Sequence, residues 1–164
     1  MLDFPSIGRP LSLRLQELMP AVEMARDGGF AHVCTGESYP ANEDYNFLPA
    51  PFLILAALWQ QTHMPIATGV TMVPAWQPLR LAYEGAVLDN LCDGNLTRGV
   101  SYGHAYDMAD FGVPEAGGGD RMDESLALLK ALWGGAQGFR GSHVSVNRAI
   151  RPLPIRQGGP PLWV

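Results

Sequence analysis

Leu15, Leu18, Met19, Val22 and Ala25 recur at near-helical spacing between Leu13 and Asp27, and Gly28 and Gly29 stand where such a helix would stop. Pro20 falls inside this pattern and predicts a kink or a fresh first turn, because it lacks an N–H and its ring crowds the preceding turn. "FAHVCTGE", Phe30 to Glu37, then reads as a short buried strand rich in Val, Cys and Thr. An irregular stretch, "SYPANEDYNFLPAP", separates it from a helix around Phe52 to Gln61 and a second strand, "PIATGVTMV", Pro65 to Val73. The third unit repeats the order: "PLRLAYEGAVLDNLC" predicts a helix, "DGN" its stop and "LTRGVS" a strand. A fourth helix, about Asp120 to Trp133, carries Met122, Leu126, Leu129, Leu132 and Trp133 on one face, and Asp120, Asp123 and Glu124 suit its N-terminal dipole. "GFRGSHVSVNRAIRPLPIRQGG" reads as a loop or small hairpin, Leu162, Trp163 and Val164 as the opening of another buried strand, and "MLDFPSIG" as a faint first strand. Short apolar strands that alternate with helices imply parallel pairing through right-handed crossovers, so the predicted class is α/β.

Composition narrows the partners. A chain of 164 residues with 47% hydrophobic content suits one domain with a real core. The formal net charge of -5, with only 11 scattered Lys and Arg residues, argues against a nucleic-acid or anionic-membrane partner, since those surfaces select basic clusters. The longest mostly apolar run, Pro49 to Trp59, is far shorter than the ~20 residues a membrane-spanning helix needs. "MLDFPSIGRP" has no basic residue ahead of an apolar stretch and does not read as a secretory signal. Only 2 cysteines occur, Cys34 and Cys92, so no disulfide framework is expected and the expected compartment is the cytoplasm. The 4 histidines have no i, i+4 pairing and no CxxC accompanies them, so no metal site is expected.

The loop after "LTRGVS" is the densest chemistry in the chain. Ser101, Tyr102, His104, Tyr106 and Asp107 crowd around a backbone made compact by Gly99 and Gly103. That composition suits either a ligand bed, where glycines admit a flat or phosphorylated group, or a tight connection between core elements. Glu37, at a predicted strand end, faces a site mouth or pairs with a basic residue at the rim. His104 is the best placed histidine, since His32 lies within a predicted strand and His63 and His143 in loops. Gly99, Ser101 and Gly103 match the letters G-x-S-x-G, but "HAYDMADFG" follows as a loop-like run where a nucleophile elbow needs an immediate helix, which ranks a serine hydrolase low. The dinucleotide fingerprint G-x-G-x-x-G is absent.

The ordered pieces "AVEMARDGGF", "AALWQQTHMPIATGVTMVP", "PLRLAYEGAVLDNLCDGNLTRGVSYG", "DFGVP" and "PLPIRQGGPPLWV" together resemble the bacterial-luciferase-like family of flavin-dependent monooxygenases and reductases. Leu88, Asp89, Gly94, Gly99 and Gly103 carry the most specific part, a Leu-Asp followed by a glycine turn and a glycine-ending strand. The resemblance implies an eight-stranded (β/α) barrel of which this chain supplies an N-terminal half of about four to five parallel strands, a single truncated luciferase-like domain over residues 1–164. It implies a reduced flavin, FMN, lying across the C-terminal ends of the strands and acting with O2 on a small organic substrate, with a flavin reductase as electron source. Some relatives use a deazaflavin and transfer hydride instead, and a non-catalytic half-barrel subunit is the third reading.

Carried onto this chain, the resemblance assigns catalytic roles to Glu37 and His104, cofactor contacts to Thr71, Met72, Ser101, Tyr102 and Gly103, and substrate contacts to Tyr39 and Tyr106, with plain packing as the alternative for the two later tyrosines. Ser38 and Tyr39 stand where the family commonly carries histidines, and Tyr102 stands where it often places a phosphate-binding arginine. An open half-barrel is further expected to self-associate or to pair with a second half.

Overall fold

Leu96–Ser101 forms β3, the strand that organises the sheet. The computed structural model of the chain describes residues 10–39, 49–114 and 117–164. In it β3 lies between β2 (Ile66–Met72) and β6 (Leu162–Trp163), and β1 (Val33–Thr35) lies beyond β2. All three pairings are parallel. Parallel neighbours cannot be joined by a hairpin, so helices carry the crossovers. α1 (Leu11–Asp27) precedes β1, α2 (Pro51–Thr62) joins β1 to β2, and α3 (Pro78–Leu91) joins β2 to β3. Between β3 and β6 come α4 (Ala105–Asp110), α5 (Gly118–Trp133) and a small antiparallel hairpin of β4 (Phe139–Arg140) and β5 (Ser145–Val146). The α/β expectation holds, with four parallel strands described.

Register and alternation divide the sheet into two faces. Val33, Ile66 and Leu96 stand level across β1, β2 and β3, and Thr35, Thr68 and Arg98 form the next level on the same face. The helices cover this face. Leu55 and Leu58 of α2, Leu81 of α3, and Leu128, Leu129 and Leu132 of α5 are fully buried in one cluster with Ile66 and Leu96. Each such side chain contributes roughly 1.5–3 kcal/mol on burial. The opposite face carries Cys34, Gly69 and Gly99, residues with little bulk.

Two carboxylates fasten the later segments to this frame. Asp89, buried in α3, accepts the backbone N–H groups of Ile155 at 2.7 Å and Arg156 at 3.3 Å, which delivers the chain to β6. Glu124 of α5 accepts three consecutive N–H groups, from Ser142, His143 and Val144, at 2.7, 2.7 and 2.6 Å, and so holds the tip of the β4–β5 hairpin. Those three bonds hold its carboxyl below the ordinary range although burial acts in the opposite direction.

Several sequence expectations change. α1 runs through Pro20 without a break and starts before it, because Pro20 lies on an exposed flank and costs a single hydrogen bond there. The strand expected over Phe30 to Glu37 shortens to Val33–Thr35, since only that part reaches β2. "HAYDMADFG" is not a loop: Ala105–Asp110 is helical, so a helix does follow the G-x-S-x-G letters. The faint first strand in "MLDFPSIG" and most of the irregular stretch after Tyr39 lie outside the described residues. Among the described residues, no helix is long and apolar enough to cross a membrane and no group of three or more candidate metal ligands occurs.

Candidate active site

Parallel strands open their C-terminal ends to the same side, and the ends of β1 and β2 meet there at one carboxylate. Glu37, just past β1, accepts the Met72 N–H at the end of β2 at 2.8 Å and the Trp76 indole N–H at 3.0 Å. The Tyr39 hydroxyl donates to it at 2.7 Å. Met72 in turn stands level with Ser101, the last residue of β3. Burial raises the Glu37 carboxyl above the ordinary carboxylate value, and the bonds from Tyr39, Met72 and Trp76 and the charge of Arg98 only partly offset it. The Tyr39 phenol is raised as well, first by burial and then by the carboxylate it serves.

Behind this carboxylate sits Arg98, fully buried on the helix-covered face of β3. Its guanidinium lies over the Phe52 ring at 4.6 Å and near Trp133 at 5.7 Å, and none of its three nitrogens has a hydrogen-bond partner among the described residues. Burial lowers it to about 9, while the charges of Glu37 and then Glu84 act the other way. Phe52 also stacks on Trp76, with ring centroids 5.0 Å apart and planes 25° apart. A buried cation, two stacked rings and a carboxylate therefore follow one another from the core to the mouth.

β2 carries a break in its pleat. Register shifts between Thr68 and Thr71, and the Gly69–Val70 peptide within the shift is cis. Val70 is 36% exposed, and its side chain would lie 3.3 Å from a Cβ on Gly99, whose absent side chain would also strike the Thr68 carbonyl oxygen. Bulges of this kind re-aim backbone beside ligand sites. Gly69 and Gly99 bring no side chain to the face opposite the helices, Gly99 is itself buried, and Val70 is the exposed side chain at the bulge.

The loop after β3 divides the remaining predicted residues. Ser101 Oγ accepts the Gly103 N–H at 3.2 Å, and Gly103 itself has φ +86°, with a Cβ there closing to 2.7 Å on the Met72 sulfur. Thr71 is buried and its hydroxyl has no hydrogen-bond partner, while Met72 is 3% exposed. Tyr102 turns its hydroxyl to Gly118 at the start of α5, so near that any side chain at 118 would overlap it. His104 is exposed at the N-terminus of α4. Asp107 beside it is 2% exposed with one oxygen unpartnered; burial raises its carboxyl, His104 opposes that, and Asp110 adds to it. Tyr106 falls within α4, and its side chain lies outside the described residues. Glu37, Tyr39, Met72 and Ser101 are thus joined through direct contacts, with Gly103 packed on Met72, whereas Tyr102 turns to α5 and Thr71 into the core. Trp76, Arg98 and the Gly69–Val70 bulge were not singled out from sequence. The arginine inside the apolar run "LTRGVS" was the available signal for one of them.

The chain matches the family model for luciferase-like monooxygenases over residues 5–164. It belongs to that family. A relative within it, the oxygenase component of the flavin-dependent trigonelline monooxygenase of Acinetobacter baylyi (strain ATCC 33305 / BD413 / ADP1), is 31% identical over 153 residues, covering 90% of this chain and 42% of that protein. Among solved structures, monooxygenase RslO1 from Streptomyces bottropensis superposes with a TM-score of 0.85 at 24% identity, over 98% of this chain and 49% of that one. The oxygenating constituent of 3,6-diketocamphane monooxygenase from Pseudomonas putida, in complex with FMN, gives 0.76 at 19% identity, over 94% and 47%. The chain therefore spans about half, or less, of the length of these luciferase-like proteins. The fold likeness places the described strands in the luciferase-like barrel arrangement, in which the Glu37 cluster lies at the strand ends.

Proposed function

We propose that this chain serves a flavin-dependent monooxygenase, with FMN bound in its reduced form and supplied by a separate flavin reductase, acting on a small organic substrate. The observation that carries the reading is the Glu37–Met72–Trp76 cluster set beside the side-chain-poor bulge of β2, in a chain of this family. The oxygenase-component relative supports the separate reductase. The lack of bulk at Gly69, beside Val70, would admit the ring of a flavin, whereas Tyr102 offers no charge to its phosphate. Reduced flavin, when bound, supplies the electrons that activate dioxygen.

The chain's own residues do the rest of the work. Glu37, held by three donors, fixes Met72 and Trp76 at the mouth and keeps the pocket wall rigid. Ser101 and Gly103 shape the loop that would help hold the flavin. His104, exposed next to buried Asp107, is the group that moves a proton between substrate and solvent. Tyr39, in edge contact with Phe111 at 4.7 Å, walls the substrate and helps exclude water. The two free thiols suit a reducing cytoplasm, and the 164 residues act as one domain in this reading.

Anaerobic titration with photoreduced FMN, followed by 18O2 and mass spectrometry of an added aromatic acid, tests the proposal. Saturable binding of the reduced flavin and label in the product are expected. Preference for a deazaflavin with hydride transfer, or flavin binding without any oxygen transfer even when the remaining barrel strands of a relative are supplied, would overturn it.

A further inference from the structure

The mouth has a second compartment. Beside the Glu37 cluster, and sharing Trp76 with it as a wall, lies a cavity of about 290 Å³. Its sides come from the connection after β2 (Pro74 and Trp76–Pro78), from Gly112–Pro114 after α4, from Arg121 and Ser125 in the first turns of α5, and from the hairpin tip at His143 and Val144. Among the described lining residues two are basic and none is an acid.

The charge balance around the cavity is uneven. Arg121 Nε is buried without a hydrogen-bond partner, and among the described residues no ion pair neutralises the guanidinium. The nearest carboxylate of the hairpin contact, Glu124, is occupied by the N–H groups of Ser142, His143 and Val144, and it interacts electrostatically with His143. Ser125 spends its hydroxyl proton on the Arg121 carbonyl at 2.7 Å, which leaves its oxygen free to accept but not to donate. What remains unmatched is the Nε–H of an arginine whose side chain lines the cavity, and a buried donor without a partner costs about 1–3 kcal/mol until something accepts from it.

We propose that this cavity is an oxyanion subsite, in which Arg121 binds a carboxylate or phosphate group with His143 at its side. A guanidinium offers planar paired donors that match both groups. The volume admits an acid group with a small ring or chain attached, but not a whole flavin. The anion comes either from the organic substrate or from the flavin phosphate, for which Tyr102 provides no cation. The hydroxyl of Tyr102 packs on Gly118, one helical turn before Arg121, which puts the loop after β3 and this cationic side chain on neighbouring parts of α5.

Titration of the full chain with sodium benzoate and with inorganic phosphate, read by the NMR signals of the Arg121 Nε–H and the Trp76 indole N–H, tests this without reduced flavin or turnover, so its outcome is independent of the monooxygenase reading. Saturable shifts of both signals are expected. Arg121→Gln should weaken binding by about tenfold or more, and Arg121→Lys should restore part of it. Benzoate binding without benzamide binding assigns the subsite to a substrate carboxylate; displacement of phosphate by FMN but not by riboflavin assigns it to the flavin phosphate. Absence of saturable binding by either anion, or equal binding to a folded Arg121→Gln chain, would overturn the proposal.

Discussion

At the scale of single residues, Glu37 is the most constrained group in the site. Three donors converge on it, yet burial still dominates and its carboxyl titrates above the ordinary value of 4.5. In the window from that value upward, the folded chain keeps a proton that the unfolded chain has released. The folded state then binds more protons, so this contribution to stability is complete below the unfolded value and is lost as pH rises through the folded one. Asp107 is displaced in the same direction and adds to the slope. We expect urea midpoints measured from pH 4.5 upward to fall more steeply with pH in the native chain than in Glu37→Gln, because the variant lacks this proton while keeping Asp107. Parallel slopes would show that Glu37 is solvated like an ordinary surface carboxylate. Neither this nor the buried state of Arg98 was readable in advance: Glu37 was identifiable as a strand-end acid, but its three donors come from residues 35 to 39 positions away and from Tyr39, and a linear pattern does not reveal which donors converge.

At the scale of elements, the helices and strands with long apolar runs and glycine stops were legible. β3 falls on the predicted "LTRGVS", and α3 and α5 begin and end within a few residues of expectation, because turn glycines such as Gly94, at φ +74°, have no side chain to strain there. Elements defined by contact rather than pattern were not: β1 is only as long as its pairing, α4 lacks a strong periodic signal, and the β2 bulge replaces one regular step of the pleat. The α3–α5 contact shows how specific such contacts are. Trp133 donates its indole N–H to the Ala82 carbonyl at 2.9 Å, and it lies with Arg98 against Gly85. A Cβ on Gly85 would sit 2.6 Å from the Arg98 guanidinium and 2.8 Å from the Trp133 ring. Alanine normally stabilises a helix interior relative to glycine by about 0.5–1 kcal/mol. Here the overlap with two buried groups outweighs that gain, and Gly85→Ala should lose about 1–3 kcal/mol in denaturant titration. Gly119→Ala in α5, with nothing within 4 Å of its Cβ, should be neutral or stabilising, and a stabilised Gly85 variant would mean that the α3–α5 contact is looser than described.

At the scale of the whole molecule, stability is distributed unevenly because burial is. β2 and β3 are paired on both sides, and the helices α2, α3 and α5 each bury several large side chains over them. α1 has 17 residues but buries only Val22 fully, and β6 meets β3 through two residues while Trp163 and Val164 stay 49% and 97% exposed. Opening α1 therefore uncovers little apolar surface, whereas opening β3 requires the whole core to separate. Free energies of local opening range from near zero to the global value, following how much each unit buries. Native-state hydrogen exchange should accordingly show the amides of β2, β3 and α3 opening only with global unfolding, and those of α1 and β6 opening several kcal/mol below it. The Met72 amide makes the comparison sharper, since it lies at the strand end and is held by Glu37 rather than by a neighbouring strand. If the site cluster is as rigid as its three converging bonds imply, Met72 should exchange with the core and not with the exposed termini. Fast exchange at Met72 alongside slow exchange in the rest of β2 would separate the mouth from the barrel core and remove the rigid wall on which the proposed flavin bed depends.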